Sequence, residues 1–134
     1  MIDIKDLIDQ FDKNQESISL TLFELRKNFT NDYTLEQLKL IDKTIITTPT
    51  IMDFIADKLQ FIENEEFLKT FNLEDIQYIY KLLTKYYPYD LQYRLGLISF
   101  TYIVLDKQEQ ALEMIDNLNG IIKEIELNIK NIVS

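Results

Sequence analysis

Apolar residues recur along the start of the chain in alternating steps of four and three: Ile4, Ile8, Phe11, Gln15, Ile18, Leu22, Leu25 and Phe29. This heptad seam, interrupted by one polar residue at Gln15, predicts a helix over residues 2 to 29, either unbroken or as two helices bent near Asn14. Two uses of the seam follow: packing inside the chain's own domain, or a homodimeric coiled coil whose register Gln15 sets. Asp3, Asp6, Asp9, Asp12 and Glu16 avoid the seam. Their three-residue steps drift around a helix by about 60° each, so they cover a wide polar face rather than one site.

Thr34-Leu35-Glu36-Gln37 has the spacing of a capping box, which predicts a second helix starting near Leu35 and ending before Pro49. Thr48 followed by Pro49 marks the start of a third, with Met52, Ile55, Ala56, Leu59 and Ile62 on one face. Asn72, then Leu73-Glu74-Asp75, predicts a fourth that turns Ile76, Ile79, Tyr80 and Leu83 inward. Pro88 interrupts the chain, and Asp90 is placed to cap a fifth helix through Leu91, Leu95, Ile98 and Tyr102 to Leu105. A polar turn at Asp106-Lys107 precedes a sixth helix lined by Ala111, Leu112, Ile115 and Leu118, which Asn119-Gly120 is expected to stop. Ile122, Ile125, Ile129 and Ile132 form the stripe of a last helix.

With two Gly and two Pro in 134 residues there is little turn punctuation for an all-β chain. The expected architecture is all-α, a single domain over residues 1–134 built as a helical array or bundle of about six or seven helices, with no linker or low-complexity segment. The longest mostly apolar run, Leu95 to Leu105, is far short of the roughly 20 residues that span a membrane. Met1-Ile2-Asp3-Ile4-Lys5-Asp6 has neither the basic leader nor the apolar core of a secretion signal. A cytoplasmic location with no membrane association is therefore expected. Richness in Ile, Asn, Lys and Tyr suits an AT-rich bacterial or phage genome.

Composition narrows the chemistry further. The chain has no Cys, His or Trp, so disulfides, thiolate and imidazole nucleophile–base pairs, zinc ribbons and imidazole metal ligands are ruled out. Two arginines and no glycine-rich loop argue against a phosphoryl-transfer clamp. Asp53 and Asp57, one helical turn apart, and the neighbours Glu63 and Glu66 are the only suggestion of a carboxylate pair, and their spacing is nonspecific. No enzymatic activity, no cofactor and no bound metal are expected. Fourteen basic against 23 acidic side chains give a formal charge of −9, which repels nucleic-acid backbones and steers basic partners inward.

Residues 95 to 118 carry a further pattern: Leu95, Ile98, Ser99 and Tyr102, then Ala111, with Ile115 and Leu118 continuing the stripe. It resembles one tetratricopeptide repeat, with Ala111 as the small residue of the second helix and Leu95, Ile98, Ser99 and Tyr102 on the large apolar, leucine, glycine and tyrosine positions of the first. Ser99 and Asp106 stand where the family commonly has Gly, Gln108 replaces an aromatic, and Pro88 lies one residue too far upstream. No second copy follows at the 34-residue period. The resemblance implies a helical hairpin near the C-terminus and a role in protein binding.

Seven of the eight tyrosines lie within 25 residues: Tyr78, Tyr80, Tyr86, Tyr87, Tyr89, Tyr93 and Tyr102. Tyrosine combines a large apolar face, one polar tip and little rotamer entropy, which enriches it in binding surfaces. Tyr86-Tyr87-Pro88-Tyr89 falls at a predicted helix junction, where the rings cannot all turn inward. Residues 50 to 80 carry seven acids against Lys58 and Lys69, a net charge of −5. The candidate partner-binding residues are accordingly Tyr86, Tyr87, Tyr89 and Tyr93 together with Asp53, Asp57, Glu63, Glu65 and Glu66. The expected function is a non-enzymatic acidic inhibitor of a basic protein, such as an immunity protein or antitoxin neutralising a toxin. Two alternatives share the composition: a repeat-type adaptor or chaperone that cradles an extended peptide, and an acidic mimic of DNA.

Overall fold

The structure, a computed structural model, describes residues 1–28 and 38–134. Seven α-helices, one of them extended by a π-turn, and no strands are found among the described residues, so the chain is all-α. Phe29, the Thr34–Gln37 capping box and the predicted helix start near Leu35 lie outside the described residues. The chain divides into two compact units, Met1–Asn72 and Leu73–Ser134.

In the first unit, α1 runs unbroken over Ile4–Asn28. The Asp3 carboxylate accepts the Lys5 backbone N–H at 3.0 Å, and Arg26 and Lys27 sit at the negative end of the helix dipole. Only the C-terminal part of its seam turns inward: Leu25 is buried and Ile18 and Leu22 half-buried, while Ile4, Ile8 and Phe11 are exposed. The helix packs against α2 (Lys43–Ile46) and α3 (Pro49–Leu59).

Asp42 starts α2 by accepting the Thr44 backbone N–H at 2.8 Å and its hydroxyl at 2.7 Å. These two donors, the hydroxyl first, hold the Asp42 carboxyl below its ordinary value. Pro49 opens α3 as its position predicts, but Thr48 does not cap it: the Thr48 hydroxyl donates back to the Ile45 carbonyl at 2.7 Å. The α3 face that turns inward holds Ile51, Ile55, Ala56 and Leu59, with Met52 half-buried, and Ile62 is buried just beyond. A single turn, α4 (Glu65–Leu68), has no counterpart in the periodicity because four residues are too few to show one. Asn64 caps it by accepting the Phe67 N–H at 3.1 Å, and the buried Phe67 ring meets Phe71 edge-on at 5.6 Å.

The second unit contains α5 (Leu73–Tyr86), α6 (Leu91–Ser99) running into a π-turn over Phe100–Val104, and α7 (Gln108–Val133). Ile76, Tyr80 and Leu83 are buried as expected, joined by Gln77, while Ile79 is only half-buried. Helix α6 lies close on α5 because position 96 is glycine: a Cβ there would stand 2.8 Å from Tyr80 Cε1.

Two expectations are corrected in this unit. The 3–4 stripe through Leu91, Leu95, Ile98 and Tyr102 that predicts α6 does not mark its buried face: Leu95 and Tyr102 are about half exposed, and Tyr93, Leu97, Phe100 and Thr101 are buried. This helix is apolar on most sides, so periodicity does not single out a face. The π-turn then widens the spiral: the Leu105 N–H reaches the Phe100 carbonyl at 3.1 Å, and the Lys107 N–H reaches Thr101 at 3.0 Å. Asp106 closes the segment in the left-handed region at φ 53°.

Asn119-Gly120, expected to stop a helix, does not end one. The predicted sixth and last helices are one, α7, unbroken over Gln108–Val133. Gly120 has no positive φ, and Ala111, Ile115, Leu118, Ile122 and Ile125 keep their 3–4 spacing straight through it. A mid-helix glycine costs about 1 kcal/mol, less than burying Leu118 and half-burying Ile121, Ile122 and Ile125 returns. Because nothing lies within 4 Å of a Cβ built at this position, Gly120→Ala is expected to stabilise the fold by about 0.5–1 kcal/mol. The urea midpoint measures this; a drop in the midpoint would mean that the chain turns here.

No helix among the described residues is long and apolar enough to cross a membrane.

Candidate functional site

The junction between α5 and α6 is a turn whose conformation is fixed at several points. The Tyr87 N–H donates to Leu83 at 2.9 Å as α5 ends, and the Asp90 N–H donates to the Tyr87 carbonyl at 3.1 Å to close the turn. The Asp90 carboxylate then caps α6, as its position in the sequence predicts, by accepting the N–H groups of Gln92 and Tyr93 at 3.0 and 3.2 Å. Arg94 Nε reaches back to the Pro88 carbonyl at 2.6 Å. Asp90→Ala is expected to remove about 1 kcal/mol through the lost cap, which thermal unfolding would detect; an unchanged midpoint would show that water replaces the carboxylate at no cost.

Three tyrosines project from this turn: Tyr86 is 66% exposed, Tyr87 45% and Tyr89 55%. Each is nonetheless held. The Lys85 amine stands 5.2 Å from the centroid of the Tyr86 ring. Tyr87 rests edge-on against Tyr93 with ring centroids 5.9 Å apart. The Tyr89 hydroxyl donates to Glu124 Oε1 on α7 at 3.0 Å. Tyr93 itself is buried, so it lies beneath the surface as a support for Tyr87 rather than on it.

Of the other tyrosines, Tyr80 is a core residue, its ring 5.8 Å from that of Phe100, whereas Tyr78 and Tyr102 are largely exposed. Glu124, 35 residues from Tyr89, is a member of this arrangement that no local pattern could announce. It holds Tyr89 in place and raises the pKa of its phenol, through the hydrogen bond first and the carboxylate charge second. A raised folded-state pKa favours the protonated phenol. Its stabilising contribution is complete below the ordinary phenol range, near pH 10, and is lost as pH climbs through the raised value. Glu124→Ala is expected to shift one tyrosine's ionisation to lower pH in a tyrosinate-absorbance titration, with Tyr89→Phe removing that step. Superimposable wild-type and Glu124→Ala curves would rule out the contact in solution.

The acidic candidates belong to the first unit. Asp53, half-buried, and the exposed Asp57 lie one turn apart on α3. Glu63 precedes α4, and Glu65 and Glu66 form its first turn, all three exposed and close to the positive end of that turn's dipole. Asp53, Asp57, Glu63, Glu65 and Glu66 are thus gathered in one unit and the tyrosine surface in the other. Among the described residues, no group of three or more carboxylates is placed to hold a metal ion.

Comparison with known proteins gives no family model, no curated protein and no solved structure that matches this chain.

Proposed function

We propose that this chain is a non-enzymatic protein-binding domain that acts on a basic partner through the α5–α6 turn. The observation that carries the reading is the presentation of Tyr86, Tyr87 and Tyr89, each at least 45% exposed and each secured by a separate contact. Large aromatic groups held still in solvent lose little entropy when a partner covers them, which is the condition under which interface tyrosines contribute most. A formal charge of −9 adds electrostatic steering toward a basic protein and discourages nucleic acid. Inhibition of a basic toxin-like protein, as by an immunity protein or antitoxin, is the specific form of this proposal.

The test is capture by tagged protein from an extract of the source cells, beside a Tyr86→Ser, Tyr87→Ser, Tyr89→Ser variant with wild-type helical circular dichroism. One basic protein, bound by the wild type and lost from the variant, supports the proposal. With that partner purified, each truncated tyrosine is expected to weaken binding by about tenfold, corresponding to about 1–2 kcal/mol. Equal retention on the variant would displace the site from this turn. Several unrelated partners would favour a peptide-binding adaptor, and competition with duplex DNA for one partner would favour a DNA mimic.

A further inference from the structure

The first unit carries an apolar face that its own packing leaves uncovered. Along α1, Ile4, Leu7, Ile8 and Phe11 are between half and two-thirds exposed, although three of them continue the seam whose other end, Ile18, Leu22 and Leu25, turns inward. An acid-rich helix need not place consecutive seam residues in solvent. The outer face of the same turns is polar and internally paired, with Lys13 bridging Asp9 at 3.3 Å and Gln10 donating to Asn14 at 3.1 Å.

We propose that a second copy of this chain covers this face, the two α1 helices pairing antiparallel over Ile4–Gln15. Three observations select that occupant. First, the uncovered part of the seam is symmetric in itself. Ile4, Ile8, Phe11 and Gln15 are related by reversal about the point midway between Ile8 and Phe11. An antiparallel partner therefore sets Ile8 against Phe11 twice at the centre and Ile4 against Gln15 at each end. The single polar residue then falls at the rim of the contact, where its amide keeps water.

Second, charge is complementary in that orientation only. Lys5 and Asp12 occupy the same flanking position on successive heptads, and neither has an ion-pair partner among the described residues. Antiparallel pairing brings Lys5 of each copy beside Asp12 of the other, whereas parallel pairing sets Asp12 beside the apolar Leu7. The pairs choose orientation more than they add affinity, because they remain solvated. Third, the area is sufficient for a specific but weak contact. At a full exposure on the order of 200 Å² for a large apolar residue, the four side chains offer roughly 500 Å² per copy, about the 1,000 Å² in total that a specific interface requires. A contact of this size belongs to the weak, transient class of interfaces, and it does not depend on the tyrosine surface.

Sedimentation of the full chain over a concentration series tests the proposal. A monomer–dimer equilibrium in the micromolar range is expected, and Phe11→Asn is expected to weaken it at least tenfold with unchanged circular dichroism, since Phe11 is exposed in the monomer. Lys5→Asp and Asp12→Lys should each weaken the dimer several-fold, and the two together in one chain should restore it. The chain has no cysteine, so orientation can be read directly. A mixture of Ile8→Cys and Phe11→Cys chains should form the mixed disulfide in preference to either symmetric one. A chain that stays monomeric into the millimolar range, a dimer indifferent to Phe11→Asn, or a predominant symmetric Ile8→Cys disulfide would each overturn the proposal.

Discussion

Phe100→Ala is expected to destabilise the Leu73–Ser134 unit by about 3–5 kcal/mol, the largest effect of any single truncation in it. Phe100 is 1% exposed and heads the fully buried side chains by volume, with its ring 5.8 Å from that of Tyr80. Its removal costs the transfer energy of the ring and leaves a cavity. The cavity has little means of collapsing, because α5 and α6 already approach as far as Gly96 permits. Phe100 also opens the π-turn and supplies the carbonyl that Leu105 uses, so a loosened side chain there disturbs the exit toward α7. A small unit has total stability in the range of 5–15 kcal/mol, and a loss of this size brings it close to unfolding. Urea unfolding followed by far-ultraviolet circular dichroism checks the value, and Phe100→Leu, which keeps most of the volume, should cost much less. A loss below about 1 kcal/mol for Phe100→Ala would contradict the burial of the ring.

Leu25→Ala is expected to cost about 2–5 kcal/mol in the first unit. Leu25 is 1% exposed and is the one fully buried side chain of α1 among the described residues. Most helical stability in a protein comes from tertiary packing rather than propensity, so this helix depends on the contact its C-terminal part makes with α2 and α3. Amide hydrogen exchange over residues 4–28 should accelerate in the variant. Phe11→Ala on the same seam should leave monomer stability nearly unchanged, because that ring is already in solvent. If the two substitutions cost equally, the uneven burial of the seam would be wrong.

The same contrast shows how far the heptad pattern carries. It correctly places one helix over the first part of the chain, since apolar residues at 3–4 spacing can share a face only in a helix. It says nothing about which turns of the seam find a neighbour. Burial of Leu25 and exposure of Phe11 depend on where α2 and α3 end up, and that is a non-local outcome. Start signals were legible where a single residue does the work: Pro49 opens α3 and Asp90 caps α6. Thr48 shows the limit of such signals, because a hydroxyl next to two helices can serve the carbonyl of the one before as readily as the amides of the one after.

Gly120 illustrates a competition between levels. Read locally, Asn119-Gly120 is a helix stop; read over about four turns, the stripe from Ala111 to Ile125 continues through it, and burial along the stripe outweighs the glycine. On α6 the difficulty is the reverse. Too many apolar residues share too few turns, so the face that packs is chosen by the partner helix and by the register change in the π-turn.

For the candidate site, the tyrosine cluster and its place at a helix junction were visible in the chain, but the division of labour among the rings was not. Tyr80 and Tyr93 point inward and Tyr86, Tyr87 and Tyr89 outward because of where α6 and α7 lie, and Glu124 joins Tyr89 from 35 residues away. The sequence alone determined that this chain is helical, strongly acidic, without the cysteine and histidine of thiolate and imidazole chemistry, and rich in tyrosine at one junction, because composition and short-range periodicity act within a few turns. Tertiary structure decided which seam turns are covered, where the helices end and which tyrosines meet solvent. Those depend on contacts between segments far apart in the chain, whose energies are summed only once the helices have packed.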